Sequence, residues 1–226
     1  LDLLGDHLHA EYPSRTLLSA HVGSLGGLLA LQQRQAHLAG SHLLDEESGD
    51  YNAPFIRRLL TPHGINVALF GFVTRVQGLI VARDNPKQIM ELRDLLRGDV
   101  TFANRQPGAG TRVLLDYHLG KEALNSADIS GYEREESSHL AVATAITSGA
   151  ADSGLGIQAI AQTHNLDFIP LFDERYDLII PVEHVESELL APFMTLLRQP
   201  PKSFLQRVAA LGGYGTGGMG KLLAEI

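Results

Sequence analysis

The chain has 226 residues and is 44% hydrophobic, which is enough for a packed core in one large domain or in two lobes. Its 18 Lys and Arg against 26 Asp and Glu give a formal net charge of −8. Such a charge repels nucleic acid and anionic membranes unless a local basic pocket overrides it, and no basic stripe is visible. With no cysteine, disulfides, thiolate metal sites and cysteine nucleophiles are excluded.

The first half of the chain alternates between strand-like and helical patterns. It begins abruptly inside a leucine-rich amphipathic segment without signal-peptide features, which indicates a fragment of a longer protein. Helices are predicted at 24–35, 55–60 and 85–98, the last with Asn85 as N-cap, Pro86 in the first turn and Gly98 as the stop. Strands are predicted at 16–22 and 36–40, and as two β-rich runs within 65–83, on either side of Thr74 and Arg75.

The second half continues the same alternation. Its predicted strands are 100–104, 151–156, 166–172 and 176–182, and its predicted helices are 110–124, 137–149, 157–165, 186–199 and 202–212. Strands that alternate with helices predict parallel sheets with helices on both faces, the doubly wound α/β class. Small ligands in such folds bind at the carboxyl ends of strands, beside helix N-termini.

The stretch "NRQPGAGTRVLLD", residues 104–116, has the features of an anion site. Its glycines let the backbone approach a ligand, and the helix that follows exposes unpaired N–H groups and partial positive charge. Arg105, Thr111 and Arg112 would add side-chain donors. The alternatives are a surface ion pair for Arg105, which would contribute little, and a solvent-facing Arg112.

Two further strand-to-helix junctions carry hydroxyl residues, namely Ser24 in "HVGSLGG" and Ser137 with Ser138 in "REESSHLAV". Serine and threonine are ordinary N-caps, so each alone has a structural explanation. Three such junctions in one α/β fold favour a shared ligand site. The "SHL" repeat places His42 and His139 near element boundaries, where hydrogen bonding in a loop or cap explains them better than zinc, since no third ligand stands at metal spacing.

Other motifs carry little chemistry. The run "DEESGDYN", residues 45–52, lacks the alternation of a calcium loop and is typical of a solvated turn. The G-x-G-x-x-G spacing at 213–218 follows no strand and precedes too little chain for a dinucleotide site, so a flexible or docked tail is expected. No G-x-S-x-G elbow or Ser-His-acid set is present. The sequence therefore predicts a protein that is not an enzyme.

Three long motifs carry a family resemblance: "VGSLGGLLALQQRQAHLAGSHLLDEESGDYN", "ANRQPGAGTRVLLD" and "GYEREESSHLAVATAITSGAADSGLGIQAIA". They resemble the periplasmic-binding-protein-like domain of cytoplasmic proteins. In that family the domain is attached to helix-turn-helix domains of molybdate-metabolism regulators or to molybdopterin-biosynthesis proteins. The same order of motifs is similar to tungstate- and molybdate-binding transport proteins.

The resemblance implies a type II periplasmic-binding-protein-like α/β fold, with two doubly wound lobes and a ligand cleft between them. Lobe one would be 1–81 with 178–226, and lobe two 82–177. Such folds open with a strand whose following loop supplies a hydroxyl donor, and this sequence starts after it. The resemblance places Ser24, Arg105, Gly110, Thr111 and Ser138 around the ligand. With Ser41, Arg112, His139 and Tyr176 added, these are the predicted ligand-binding residues.

The implied function is a non-enzymatic sensor for a small oxyanion, most plausibly molybdate or tungstate. No cofactor is implied other than this ligand, and no membrane partner. DNA would be contacted only through a separate domain, and the protein would be cytoplasmic. Whether it forms a homodimer is left open. One alternative is a small organic acid or sulfur compound, with Arg105 and Arg112 on a carboxylate and Tyr176 or His139 on the organic part. Others are an accessory role in molybdopterin assembly and a docking module without a ligand.

Overall fold

The computed structural model describes residues 2–20 and 22–226 and divides the chain into two compact units. Unit 1 is Leu1–Thr74 with Arg175–Ile226, and unit 2 is Arg75–Glu174. The lobes expected from the resemblance change at 81/82 and 177/178, a few residues later on both chain segments. On the first of these segments the unit boundary falls at Thr74, the one exposed position between two buried runs.

The elements are named in chain order. The helices are α1 Asp2–Glu11, α2 Gly23–Gln32, α3 Ala53–Leu59, α4 Gly110–Lys121, α5 His139–Thr147, α6 Gln158–Thr163, α7 Val182–Val185, α8 Ala191–Arg198 and α9 Lys202–Ala209. The strands are β1 Ala39–Ser41, β2 Val67–Val81, β3 Asn104–Arg105, β4 Glu135–Glu136, β5 Ser153–Ile157, β6 Asp167–Pro181, β7 Tyr214–Gly215 and β8 Leu222–Glu225. Short 3₁₀ turns lie at Thr61–His63, Leu92–Leu96 and Ser126–Asp128.

Unit 1 packs helices on both faces of a small sheet. β1 pairs antiparallel with the end of β6, and the start of β2 pairs antiparallel with β8. One core cluster joins α1, α8 and α9 to the sheet through Leu4, Phe193 and Phe204. A second joins α2 and α3 through Leu28 and Ile56. The predicted helices at 24–35, 55–60 and 202–212 are confirmed, because each buries an apolar stripe in one of these clusters.

Unit 2 is organised in the same way. The end of β2 pairs antiparallel with β5, and β3 pairs in parallel with β4. Phe102 and Leu115 belong to the core cluster under α4, and Val142 with Ile146 anchors α5 in another. The predicted helices at 110–124, 137–149 and 157–165 and the predicted strand at 151–156 are confirmed with small changes of boundary.

The α/β class is therefore confirmed, but the expectation of all-parallel pairing is not. In the six-stranded sheet, β1 with β6, β2 with β5 and β2 with β8 are antiparallel, whereas β3 and β4 pair in parallel in a separate two-stranded sheet and the isolated Phe102–Ser153 bridge is parallel. A strand's hydrophobic pattern reports burial and not the direction of its neighbour, so the sequence could not distinguish these cases.

Two predicted interruptions are absent. β2 runs without a break through Thr74 and Arg75, and β6 runs through the gap expected between 172 and 176. In β2 the residues on either side of the interruption are buried, while Thr74 is exposed and its neighbours are only partly buried. The polar residues mark the change of unit, and a β-branched threonine is compatible with an extended backbone.

Three other predictions need correction. The helix at 85–98 is wrong, because Asn85 and Gln88 have φ of 41° and 51° and the Asn85 side chain bonds both the N–H and the C=O of Ile89. This is a turn, and only the 3₁₀ segment Leu92–Leu96 is helical. The strand at 100–104 is reduced to β3. No strand forms over 16–20; His21 of that predicted strand lies outside the described residues.

The glycine-rich tail is docked. Both β7 and β8 pair with β2. The glycines of the G-x-G-x-x-G spacing therefore lie before, in and after β7, in a segment that leads into another strand and not into a helix. Among the described residues, no helix combines the length and the apolar character that a membrane span requires.

Candidate functional site

Unit 2 places two helix N-termini at the ends of neighbouring strands. β3 and β4 are parallel, with Arg105 opposite Glu136. β3 leads through the loop 106–109 into α4, and β4 leads through Ser137 and Ser138 into α5. Because parallel strands end at the same edge, the starts of α4 and α5 share this edge. Such an edge is where α/β folds bind anions.

The N-terminus of α4 is open. Its N-cap, Ala109, has no side chain to accept a hydrogen bond, and the first helical bonds start at Arg112 and Val113, both to the Ala109 carbonyl. Within the described part of the chain, the N–H groups of Gly108, Gly110 and Thr111 donate to no backbone oxygen outside the helix. Gly108 has φ of 79° and open space at its Cα. The backbone N–H groups here are thus available to a ligand.

The N-terminus of α5 is capped by Ser138, whose Oγ accepts from the Ala141 N–H at 3.0 Å. The hydroxyl proton of Ser138 is not used by this bond. His139 is partly exposed at the first position of the helix. Its ring packs against β5, since a Cβ at Gly156 would lie 3.4 Å from His139 Nδ1.

Arg105 lies across the start of α5. Its Nε and Nη2 each donate at 3.2 Å to a backbone carbonyl, those of Glu136 and Ser137. Among the side chains that the structure describes, no carboxylate lies within ion-pair distance of its guanidinium. Burial lowers the pKa of Arg105 below its ordinary value, although an arginine stays protonated at neutral pH. Arg105 is therefore a half-buried cation whose charge is not compensated by an acidic side chain.

Arg112 has a different environment. Its guanidinium is 3.4 Å from Glu135 Oε1 and 3.8 Å from Asp116 Oδ2, and it covers the Tyr132 ring at 4.5 Å. Its side chain is only 12% exposed. Two carboxylates and an aromatic face compensate this charge, and Nη1 donates to the Arg105 carbonyl at 3.3 Å, so Arg112 lies beside Arg105 and its ligand contact stays a prediction.

Unit 1 brings Ser24 and Tyr176 to one cavity of about 980 Å³. Ser24 is in the first turn of α2, and its Oγ accepts from the His42 N–H at 3.2 Å. The rings of His42 and Tyr176 are stacked with centroids 5.6 Å apart. Tyr176 passes so close to Gly40 that no side chain would fit at that position. The cavity thus combines hydroxyl groups, two stacked rings, apolar walls and the side chain of Arg15.

Ser41 does not line that cavity. It is fully buried, and its carbonyl accepts from Asn52 Nδ2 at 3.2 Å. The same amide donates to Asp177 Oδ2 at 2.8 Å, and Arg175 Nη2 donates to that oxygen at 2.6 Å. This polar cluster stabilises the pairing of β1 with β6, and the Ser41 hydroxyl beside it is buried without a hydrogen-bond partner among the described residues, so its ligand contact stays a prediction.

Sequence reasoning missed a polar network behind Thr111. Gln77 is fully buried in β2, and its Nε2 lies 3.1 Å from Glu174 Oε2 and 3.4 Å from Thr111 Oγ1. Arg75 Nε donates to the same Glu174 oxygen at 2.7 Å. The available signal was a glutamine inside the apolar run "VQGLIV", where a buried polar residue requires partners.

The structure therefore brings Arg105, Gly110, Thr111, Ser138 and His139 together in unit 2, and places Ser24 and Tyr176 on the cavity of unit 1. In the described chain, no three His, Asp or Glu side chains are grouped closely enough to bind a metal ion.

A sheet edge with helix N-termini and an uncompensated arginine, in a chain that crosses twice between two α/β units, defines the class of ligand-binding domains with the type II periplasmic-binding-protein-like fold. The chain belongs to the family described as PBP superfamily domain, which matches residues 5–198.

The relatives agree with this assignment. The chain is 37% identical over 225 residues to the uncharacterized protein YvgK of Bacillus subtilis (strain 168), covering 100% of this chain and 71% of YvgK. It is similar in fold to a putative phosphate transporter substrate-binding protein of Clostridium perfringens with bound phosphate, with a TM-score of 0.67, 10% identity and coverage of 95% and 93%. It is likewise similar to the substrate-binding domain of a putative molybdenum transporter of Clostridium difficile, with a TM-score of 0.59, 14% identity and coverage of 94% and 91%.

Proposed function

We propose that this domain binds a small tetrahedral oxyanion, with molybdate or tungstate as the first candidates, and that it does so as a non-enzymatic sensor. The anion would lie at the starts of α4 and α5, with Arg105 as the cationic contact. Gly110 and Thr111 would donate from the backbone, and Ser138 would donate through its hydroxyl.

The observation that carries this proposal is the environment of Arg105. A half-buried guanidinium without an acidic partner is unfavourable in an empty protein and becomes favourable when an anion supplies the missing charge. A tetrahedral dianion is an acceptor only, so it also matches the uncapped N–H groups of α4. The net charge of −8 does not oppose this, because the field at the site is local.

The other parts of the proposal follow from the same arrangement. Neither Thr111 nor Ser138 has a hydrogen-bonded histidine or carboxylate as a general base within the described chain, so both act as donors and not as nucleophiles. A ligand that prefers one arrangement of a two-unit protein shifts its population, and an attached DNA-binding domain in a longer protein could respond to that shift.

Isothermal titration calorimetry with molybdate, tungstate, sulfate and phosphate tests the proposal. We expect saturable heat with at least one of the four and a preference for molybdate or tungstate over sulfate. Absence of heat with all four, from protein that unfolds cooperatively on heating, would remove the oxyanion function.

A small organic acid is the second candidate, and the cavity of unit 1 favours it. A volume of about 980 Å³ lined by Tyr176, His42 and apolar side chains is far larger than a tetrahedral oxyanion needs. Native mass spectrometry of protein purified without added ligand, followed by denaturing release, distinguishes the two. A released carbon-containing acid supports the second candidate, whereas molybdenum or tungsten detected by elemental analysis supports the first.

A further inference from the structure

We infer that Gln77 is a positioning residue for the proposed anion site, because its amide fixes the Thr111 hydroxyl as a donor to the ligand. The inference rests on the proposed function and extends it to a residue that lies one layer behind the site. All the groups involved belong to unit 2.

The geometry determines the orientation of the Gln77 amide. Its nitrogen lies 3.1 Å from Glu174 Oε2, and an ionised carboxylate accepts but does not donate. The nitrogen end must therefore face Glu174. An amide nitrogen carries two protons, so the second can be directed to Thr111 Oγ1 at 3.4 Å.

This contact decides what the Thr111 hydroxyl can do. A hydroxyl has one proton and two lone pairs, and a lone pair that accepts from Gln77 leaves the proton for another acceptor. Thr111 is 4% exposed and is the second residue of α4, beside the open N–H groups of Gly108 and Gly110. An oxyanion at this helix start would receive that proton, because it offers only lone pairs.

Glu174 and Arg75 maintain the arrangement. Glu174 is 1% exposed, and a buried carboxylate near an anion site would repel the ligand if its charge were not compensated. Arg75 donates to the oxygen that also accepts from Gln77, so a guanidinium balances the charge of this carboxylate. Gln77 thus lies between the Arg75–Glu174 ion pair and the anion. Its effect on the ligand is to hold the Thr111 hydroxyl proton directed at the anion.

A double-mutant cycle tests this role. We would measure the dissociation constants of molybdate, tungstate, sulfate and phosphate for the wild type, Gln77→Met, Thr111→Val and the double variant. Gln77→Met should weaken binding of the preferred oxyanion about fivefold and Thr111→Val about tenfold. If Gln77 acts through the Thr111 hydroxyl, the double variant is no weaker than Thr111→Val alone.

The matched control is Ser153→Ala. Ser153 is a fully buried polar residue of β5 in the same unit, and it makes no hydrogen bond to Thr111. This change should leave the dissociation constant unaltered, alone or with Thr111→Val. Thermal unfolding without ligand shows for each variant whether the fold is retained.

Gln77→Glu provides a second test that does not depend on Gln77→Met folding. An ionised carboxylate at this position cannot donate to Thr111, accepts the Thr111 proton instead and adds a negative charge behind the site, whereas protonation removes that charge. The ratio of the variant's dissociation constant to that of the wild type should therefore fall as the pH is lowered from 8 to 5.5. Using the ratio cancels the titration of the ligand itself.

The outcomes are distinguishable. Suppose that the wild type binds and that the affinity loss of the double variant equals the product of the two single losses. This result, or a Gln77→Glu ratio of dissociation constants that does not change with pH, would overturn this inference and leave the proposed function intact. No binding by the wild type to any of the four oxyanions would overturn both.

Discussion

The two units provide polar groups of different kinds. In unit 2, Arg105 contacts only backbone carbonyls and lies beside two helix starts. In unit 1, the arginine that lines the cavity is Arg15, while Arg175 is paired with Asp177 at 2.6 Å and the Ser24 hydroxyl already accepts from His42. Unit 2 thus provides a cation at two helix starts, while unit 1 provides a large cavity with neutral groups and one arginine on its wall. We expect the charge of an oxyanion to be recognised by the helix starts of unit 2.

We expect the largest effect on oxyanion affinity from Arg105→Met. Two charge-assisted hydrogen bonds from a guanidinium would be lost, so we expect oxyanion affinity to fall about 100-fold or more in calorimetry. The fold should survive, because the side chain has no ion pair and its aliphatic part is replaced.

Arg134→Met is the matched control. Arg134 is also in unit 2, but it is exposed and paired with Glu136 at 3.3 Å, so its charge is compensated and its removal should leave affinity within about twofold. Equal losses from both variants would show that general positive charge, and not the position of Arg105, determines binding.

Two serine variants should have smaller effects on oxyanion affinity and compare the two units directly. Ser138 caps α5 in unit 2, and Ser24 lies in the first turn of α2 in unit 1. Ser138→Ala should cost about 1 kcal/mol of stability through the lost cap and about tenfold in oxyanion affinity. Ser24→Ala should lower affinity by no more than about threefold, because the Ser24 hydroxyl already accepts from His42 and Arg105 belongs to unit 2. Both are measured by urea unfolding and calorimetry.

Ser148→Ala is the control for the first serine. Ser148 lies at the other end of α5, where its hydroxyl donates to the Ala145 carbonyl at 3.1 Å, so affinity should not change. A larger loss from Ser24→Ala than from Ser138→Ala would reverse the assignment of charge recognition to unit 2.

Local signals in the sequence predicted much of the fold. The apolar stripes of α2, α4 and α5 and the glycine-rich approach to α4 follow from side-chain period and backbone chemistry. The helix predicted at 85–98 failed because Asn85 bonds the backbone of Ile89 instead of capping a helix. A short polar side chain can stabilise either a cap or a turn, and the sequence does not separate the two.

The candidate site was predictable to a lesser degree. The junctions that carry Thr111 and Ser138 were visible because helix starts follow strand ends. The difference between Arg105 and Arg112 was not visible, since it depends on Glu135 and Tyr132, which approach only in the folded chain. Ser41 and Gln77 show the same limitation: burial and partners distant in sequence decide whether a polar residue can face a ligand.

The most direct test of the anion site is a two-dimensional ¹H–¹⁵N NMR titration that follows the backbone amides of Gly108, Gly110 and Thr111. With the oxyanion that binds most tightly in calorimetry, these three resonances should move downfield in a saturable manner, with the calorimetric dissociation constant, and should stay in place in Arg105→Met. Saturable heat without movement of these amides would contradict binding at the start of α4.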